Sequence, residues 1–334
     1  MRAVLPAADP ADPAIPRPRL GELSDPVPGP DEVLVAVRAA GLNRADLLQL
    51  RGLYPPPPGE SEVPGLELAG VVAAGGPGEA AARWRAGDQV MALVAGGGLG
   101  EKAAVPAGQL MPLPAGFTFV EGAALPEAGL TAWTNLVAEG GLAAGETVVV
   151  SGANGGVGTF AVQLARELGA RVLAAGRDLD RLAPLRALGA DELIALGPDL
   201  PARVRELTGG RGADLVLDLV GGAHLPGLLA ALAVRGRLVL VGLMAGRRAE
   251  LDLGAILGRR LRLIGSVLRA RSREEKAGLV AAFSEFALPR LAAGRLRPVV
   301  DRTFPFSDVE AAFAAFERGG VSGKIVVEME GENG

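Results

Sequence analysis

A strand, a glycine-rich turn and a helix, in that order, constrain this chain more than any other feature. Glu146–Val150 reads as an apolar strand, Ser151–Gly158 as the turn, and Gly158–Leu168 as a helix that stops at Gly169. Such a unit aims free backbone N–H groups and the positive end of a helix dipole at one point, which suits a pyrophosphate. Ala153–Gly158 matches G-x-G-x-x-G except that Ala153 replaces the first Gly. A glycine triplet alone is equally a tight turn; the flanking strand and helix are what favour dinucleotide binding, through Asn154, Gly155, Gly156 and Val157.

The unit opens a longer rhythm. From Glu121 to Ser266, apolar runs near Thr147, Val172, Leu193, Leu215, Leu238 and Leu261 alternate with helical stretches, as in a parallel α/β sheet. Before it, Glu32–Arg38, Glu67–Val72 and Asp88–Leu93 are short β-like runs between Gly and Pro, with one helix over Asn43–Leu50, which reads as a β-rich, barrel-like domain. After it come helices over Glu274–Leu291 and Val309–Arg318, then a strand Lys324–Glu328 that resembles the first segment more than the second. No solenoid-length repeat is present.

Composition narrows the chemistry. The 334 residues are long enough for two domains. With 49 Gly and 25 Pro the chain is loop-rich but stays below the ~25–30% that marks low complexity. It has no Cys, which removes disulfides, thiol nucleophiles and thiolate metal sites, and its one His, His224, stands at a predicted helix start where a structural role is expected. A net charge of −4 gives no reason to expect nucleic acid as a partner. Asp9 and Pro10 arrive before any apolar leader develops, and Arg235 and Arg237 interrupt the apolar stretch Leu225–Gly246. A soluble cytoplasmic protein without membrane contact is therefore expected.

The strand Arg171–Ala175 bears on NAD against NADP. Its tip carries Gly176 and Arg177 in place of the carboxylate that would hold a ribose 2′-hydroxyl, with Arg181 one helical turn on. These favour NADPH, although Asp178 and Asp180 lie close by and a solvated helix face explains the arginines too.

Several separated segments resemble one family. Ala39–Asp46, Pro64–Glu67, Gly87–Val90, Leu130–Trp133 and Gly323–Val326 are similar to the zinc-free, zeta-crystallin-like quinone oxidoreductase branch of the medium-chain dehydrogenase/reductase superfamily. Leu53–Gly59, Leu125–Ala128, Leu268–Arg271 and Pro298–Asp301 most resemble its tumour-suppressor-inducible quinone oxidoreductase group. The resemblance spans nearly the whole chain. It implies an α/β protein with a GroES-like β-rich catalytic domain, residues 1–121 with 267–334, and a Rossmann doubly wound parallel sheet domain, residues 122–266. NADPH in a cleft and a homodimer joined by sheet edges are further implications.

Zinc-dependent relatives place Cys and His where this chain has Asn43 and Leu66, so no metal site is expected. Hydride would then pass to a conjugated acceptor, a quinone or else an enone or enoyl thioester, helped by a nearby hydrogen-bond donor. Tyr54 is the only tyrosine, and the resemblance turns it toward the nicotinamide as a substrate-orienting group or proton donor; packing on Pro55–Pro58 is the other reading. Asn43 is implied near the nicotinamide ribose or the reacting centre, against a buried structural amide. Thr131 is implied near the nicotinamide, against an ordinary helix hydroxyl, and Lys324 near the cofactor, against a solvated lysine. Ligands of parallel sheets sit beyond the carboxyl ends of strands, which adds Val220, Gly221, Gly242, Leu243, Met244, Ser266, Val267 and Leu268 to the cofactor side.

The arginines from Arg259 to Arg273 would suit a phosphate or a coenzyme A tail, but outward charge guarding an edge strand explains Arg260 and Arg262 as well. Leu99, Ala103 and Phe313 depart from the family's aromatic and His positions and leave substrate preference open. Three readings result: an NADPH-dependent quinone reductase, an enoyl-thioester or enone reductase, and a non-catalytic NADPH-binding protein.

Overall fold

The computed structural model describes residues 1–8 and 16–330. Asp9 and Pro10, named above, lie outside the described residues. The chain divides into two compact units, Met1–Leu130 with Arg269–Gly334, and Thr131–Leu268. The expected boundaries at 121/122 and 266/267 fall slightly before these positions. The first crossing lies inside the helix Pro126–Trp133.

In chain order the first unit holds β1 (Arg2–Ala7), β2 (Arg17–Glu22), β3 (Glu32–Gly41), β4 (Glu67–Gly75), β5 (Gln89–Leu93), β6 (Lys102–Pro106) and β7 (Leu110–Pro112). The second unit holds β8 (Thr147–Ser151), β9 (Arg171–Gly176), β10 (Glu192–Ala195), β11 (Ala213–Asp218), β12 (Leu232–Leu240) and β13 (Arg262–Gly265), and the returning chain adds β14 (Val300–Pro305) and β15 (Lys324–Glu328) to the first.

The large sheet of the first unit runs β14-β15-β3-β4-β5-β7, with β6 also paired to β3. The alternation in β3 sends Val33, Val35 and Val37 inward against Leu68, Val90, Phe306, Phe313 and Ile325. β15 lies antiparallel to β3 in the register Val326↔Gly41, so Lys324 arrives beside the chain leaving β3. This is the GroES-like fold.

Every ladder of the second unit is parallel, in the order β10-β9-β8-β11-β12-β13. That is the doubly wound Rossmann order, in which the chain reverses direction between β8 and β11 and opens a crevice at their carboxyl ends. β8 is buried at all five positions, as its Val148–Val150 run requires of a central strand. The apolar stretch Leu225–Gly246 is a short helix, Leu225–Ala230, followed by β12. No helix among the described residues is long and apolar enough to cross a membrane.

Two differences from the sequence expectations have local causes. The helix after β8 starts at Gly156, two residues early, because Gly155 already serves as its N-cap in extended conformation. β1 and β2 were not expected: Pro6 stands opposite Pro18, and a two-stranded ribbon tolerates prolines that a central strand would not.

Candidate active site

In the second unit the expected cofactor residues gather at the carboxyl edge of the parallel sheet. After β8, Gly152 takes the left-handed turn at φ 67°, so Ala153 needs no glycine freedom and the altered first position of the fingerprint carries no strain. Gly158 fits only as glycine, since a Cβ there would lie 2.6 Å from Ala153 Cα. The 12-residue helix from Gly156 has neither a side-chain cap nor an acidic residue in its first turn, which leaves its leading N–H groups to an anion.

After β9, Gly176 is buried and Arg177 is exposed. Arg181 pairs with Asp178 at 3.4 Å, and Asp178 also caps the short helix Leu179–Leu182. Both arginines are exposed, and Arg181 has the Asp178 carboxylate beside it. At the end of β11, Asp218 is fully buried and its Oδ1 accepts from Ser151 Oγ (2.7 Å), Val220 N (2.9 Å) and Gly221 N (3.0 Å). This carboxylate ties the ends of β8 and β11 together and shapes the Val220–Gly221 turn, while its Oδ2 is buried with no partner among the described residues.

Gly242, Leu243 and Met244 follow β12, and Ser266, Val267 and Leu268 follow β13. Leu243, Met244 and Val267 are 47%, 63% and 52% exposed, apolar surface on the rim where the resemblance places a nicotinamide. Thr131 is buried, and its carbonyl accepts from Asn135 Nδ2 at 2.7 Å, where the helix widens to π geometry over Thr134–Glu139.

In the first unit Asn43 and Lys324 come into contact. Asn43 lies two residues past β3 and caps the helix Arg44–Leu50, and its backbone N–H donates to Asp46 Oδ2 at 2.7 Å. Its amide nitrogen donates to Glu67 Oε1 (2.9 Å) and Gly41 O (3.2 Å), and its oxygen accepts from Lys324 Nζ (2.6 Å). Lys324 also donates to Leu42 O (2.8 Å) and pairs with Glu67, so its three N–H groups are all engaged inside the unit and it is only 5% exposed. It is not a solvated lysine. Burial pushes the Asp46 carboxyl up to about 6, against N–H bonds from Asn43 and Gly65 and the charge of Lys324, with Glu67 adding to the rise.

Tyr54 stands apart from that network. It is half-buried on the loop between the helix Arg44–Leu50 and β4, and burial, aided by Glu127, raises its phenol above the usual range while Arg269 opposes the rise. The Arg269 guanidinium carbon lies 5.2 Å from the centroid of the Tyr54 ring. Glu67, Asp46 and Arg269 are the polar residues that motif reading left without a role. A lone carboxylate between Leu66 and Leu68 in an apolar strand was the available signal for Glu67; nothing local marks Arg269.

Comparison with known proteins agrees with this fold. The family described as alcohol dehydrogenase GroES-like domain matches residues 29–115, and the family described as zinc-binding dehydrogenase matches residues 156–285. The chain is 38% identical to the quinone oxidoreductase of Thermus thermophilus, solved also in complex with NADPH, covering 98% of this chain and 100% of that one with a TM-score of 0.82. It is 32% identical to an NAD-dependent alcohol dehydrogenase, covering 99% and 100% with a TM-score of 0.84. It is 35% identical over 300 residues to the spectinabilin polyketide synthase system protein NorB of Streptomyces orinoci, covering 90% of this chain but only 13% of that protein's length. The fold and these matches define an oxidoreductase of the medium-chain dehydrogenase/reductase superfamily. Within it, the chain belongs to the quinone oxidoreductase-like branch.

Proposed function

We propose that the chain is an NADPH-dependent reductase that delivers hydride to a quinone without a metal. The observation that carries the reading is the uncapped helix start at Gly155–Gly158 beside a strand tip bearing Gly176 and exposed Arg177. Backbone N–H groups at Gly156 and Val157, with Asn154, suit a pyrophosphate, and the Arg177 fork suits a 2′-phosphate. Val220, Gly221, Gly242–Met244, Ser266–Leu268 and Thr131 are assigned to the nicotinamide side. When bound, the reduced dinucleotide supplies the hydride.

The residues present do not fit zinc. The position that carries Cys in zinc-dependent relatives is Asn43, whose amide is committed to Glu67, Gly41 and Lys324; its His counterpart is the buried, apolar Leu66. Without a Lewis acid the acceptor must delocalise the incoming charge itself, as a quinone does. Tyr54 then donates a hydrogen bond or a proton to the acceptor oxygen. Its raised pKa keeps the phenol protonated throughout the neutral range. Asn43 and Lys324 serve by holding β15, β3 and Glu67 in one arrangement.

The match to a polyketide synthase favours a second reading, reduction of an enoyl thioester on the same scaffold, with Tyr54 protonating the α carbon. A homodimer is also part of the proposal: the helix Leu253–Arg259 buries none of its residues, exposes Leu253 (68%) and Leu257 (78%), and adjoins the edge strand β13. The test of the catalytic assignment is Tyr54→Phe. Turnover is expected to fall while the NADPH dissociation constant stays in place, and an unchanged rate on every acceptor removes Tyr54 from the mechanism.

A further inference from the structure

The loop that carries Tyr54 has little of its own to hold it. Leu53 is 64% exposed and Pro55, Pro58 and Gly59 are exposed; the four consecutive prolines stiffen the loop, and its backbone bonds, Leu53 N to Leu48 O (2.8 Å) and Glu60 N to Pro57 O (3.1 Å), lie at its two ends. A hydrogen-bond donor placed by such a loop gains little unless something fixes its pose, because misplacement by about 1 Å can lose roughly 100-fold in rate.

Arg269 supplies the fixing contacts. It is 4% exposed, and its planar fork reaches three separate segments. Nη1 donates to the carbonyl of Tyr54 itself (3.1 Å), Nε to Ala95 O after β5 (2.7 Å), and Nη2 to Gln49 Oε1 in the helix before the loop (2.6 Å). Gln49 in turn donates from Nε2 to Glu62 O at the far end of the loop (2.7 Å), so one guanidinium and one amide strap both ends. The same guanidinium lies over the Tyr54 ring, and it therefore holds this residue by backbone and by side chain at once.

The arginine is itself anchored: Lys276, 2% exposed in the helix Arg273–Ala292, donates from Nζ to Arg269 O (3.2 Å). The charged groups facing Arg269 are Asp46, Glu127, Glu60 and the Lys276 ammonium, and those facing Tyr54 are Glu127 and Arg269. A buried arginine held by three neutral acceptors is an expensive way to close a loop, which a packed apolar side chain would do more cheaply if closure alone were needed.

We propose that Arg269 is the positioning residue of the reaction, fixing the Tyr54 phenol toward the acceptor through the strap Tyr54–Arg269–Gln49–Glu62. The proposal rests on the reading of Tyr54 given above.

Tyr54 being the only tyrosine, the ultraviolet absorbance of the phenolate in an alkaline titration reports this one group. In Arg269→Met the phenol midpoint is expected to rise as the facing cation is lost. kcat on the preferred acceptor should fall about 10–100-fold with the NADPH dissociation constant unmoved. Arg269→Lys reaches only one acceptor at a time, and its ammonium loses its proton over the same alkaline range as the phenol, so it should leave kcat low and not restore the midpoint in full. Should Arg269→Met not fold, Arg269→Lys alone decides: a wild-type kcat overturns the proposal.

A folded Arg269→Met with an unmoved midpoint and wild-type kcat overturns it equally. Tyr54→Phe measured alongside separates the two layers. A Tyr54→Phe enzyme at wild-type rate overturns the reading of Tyr54, whereas an impaired Tyr54→Phe beside an unimpaired Arg269→Met overturns only the role of Arg269.

Discussion

The two units present their candidate functional residues in different materials. The second uses backbone: glycines, strand ends and helix N–H groups, with Asp218 as the one charged side chain it buries among the described residues. The first buries Asp46, Glu67, Arg269, Lys276 and Lys324. A site built mainly of backbone is most sensitive to an added side chain; a charge-built one depends on every partner and on protonation. The same molecule therefore should respond to opposite kinds of perturbation in its two halves.

The largest effect belongs to the charged half. Glu67→Leu strands the Lys324 ammonium in the interior and is expected to lower unfolding stability by about 3–5 kcal/mol in chemical denaturation. A loss below ~1 kcal/mol would mean that the network is not the support assigned to it.

Next comes pH. The folded-state pKa of Asp46, about 6, lies above its ordinary 3.8, so the native state binds this proton more tightly than the unfolded chain does. Its contribution to stability is present below about pH 4 and is lost as pH rises through about 6, by at most ~3 kcal/mol. The difference in stability between wild type and Asp46→Asn, measured from pH 4 to pH 7, should show this slope. A parallel pair of curves would contradict it.

In the backbone half, Gly158→Ala should cost about 1–3 kcal/mol through contact with Ala153 and weaken NADPH, in equal measure from pH 5 to pH 8. Smaller still, Arg177→Ala should weaken NADPH about tenfold or more and NADH hardly at all. Equal losses for both cofactors would place 2′-phosphate recognition elsewhere. Last, Leu257→Glu should leave the fold intact and shift the mass in sedimentation toward the monomer, with no change in mass counting against the interface.

The same contrast explains what was legible in the sequence. Periodicity and glycine spacing are local, so the six parallel strands, the Gly155–Gly158 turn and the helix Val309–Arg318 could be read directly. Asn43 at the head of its helix and Lys324 at the head of β15 could be placed on their elements as well. What those side chains touch was not legible: Lys324 meets Leu42 across 282 positions, and Arg269 reaches Tyr54 across 215. No local pattern encodes a partner at that distance. Strands with prolines, or as exposed as β14, lack the alternation that would announce them.

The most direct test of the central claim follows NADPH oxidation at its near-ultraviolet absorbance against a benzoquinone, phenanthrenequinone, an α,β-unsaturated ketone and crotonyl-CoA, each repeated with NADH. Turnover of the quinones with NADPH in preference to NADH is expected. Preference for the thioester or the enone would make the chain an enoyl or enone reductase, and NADPH binding without turnover of any acceptor would contradict an enzymatic role.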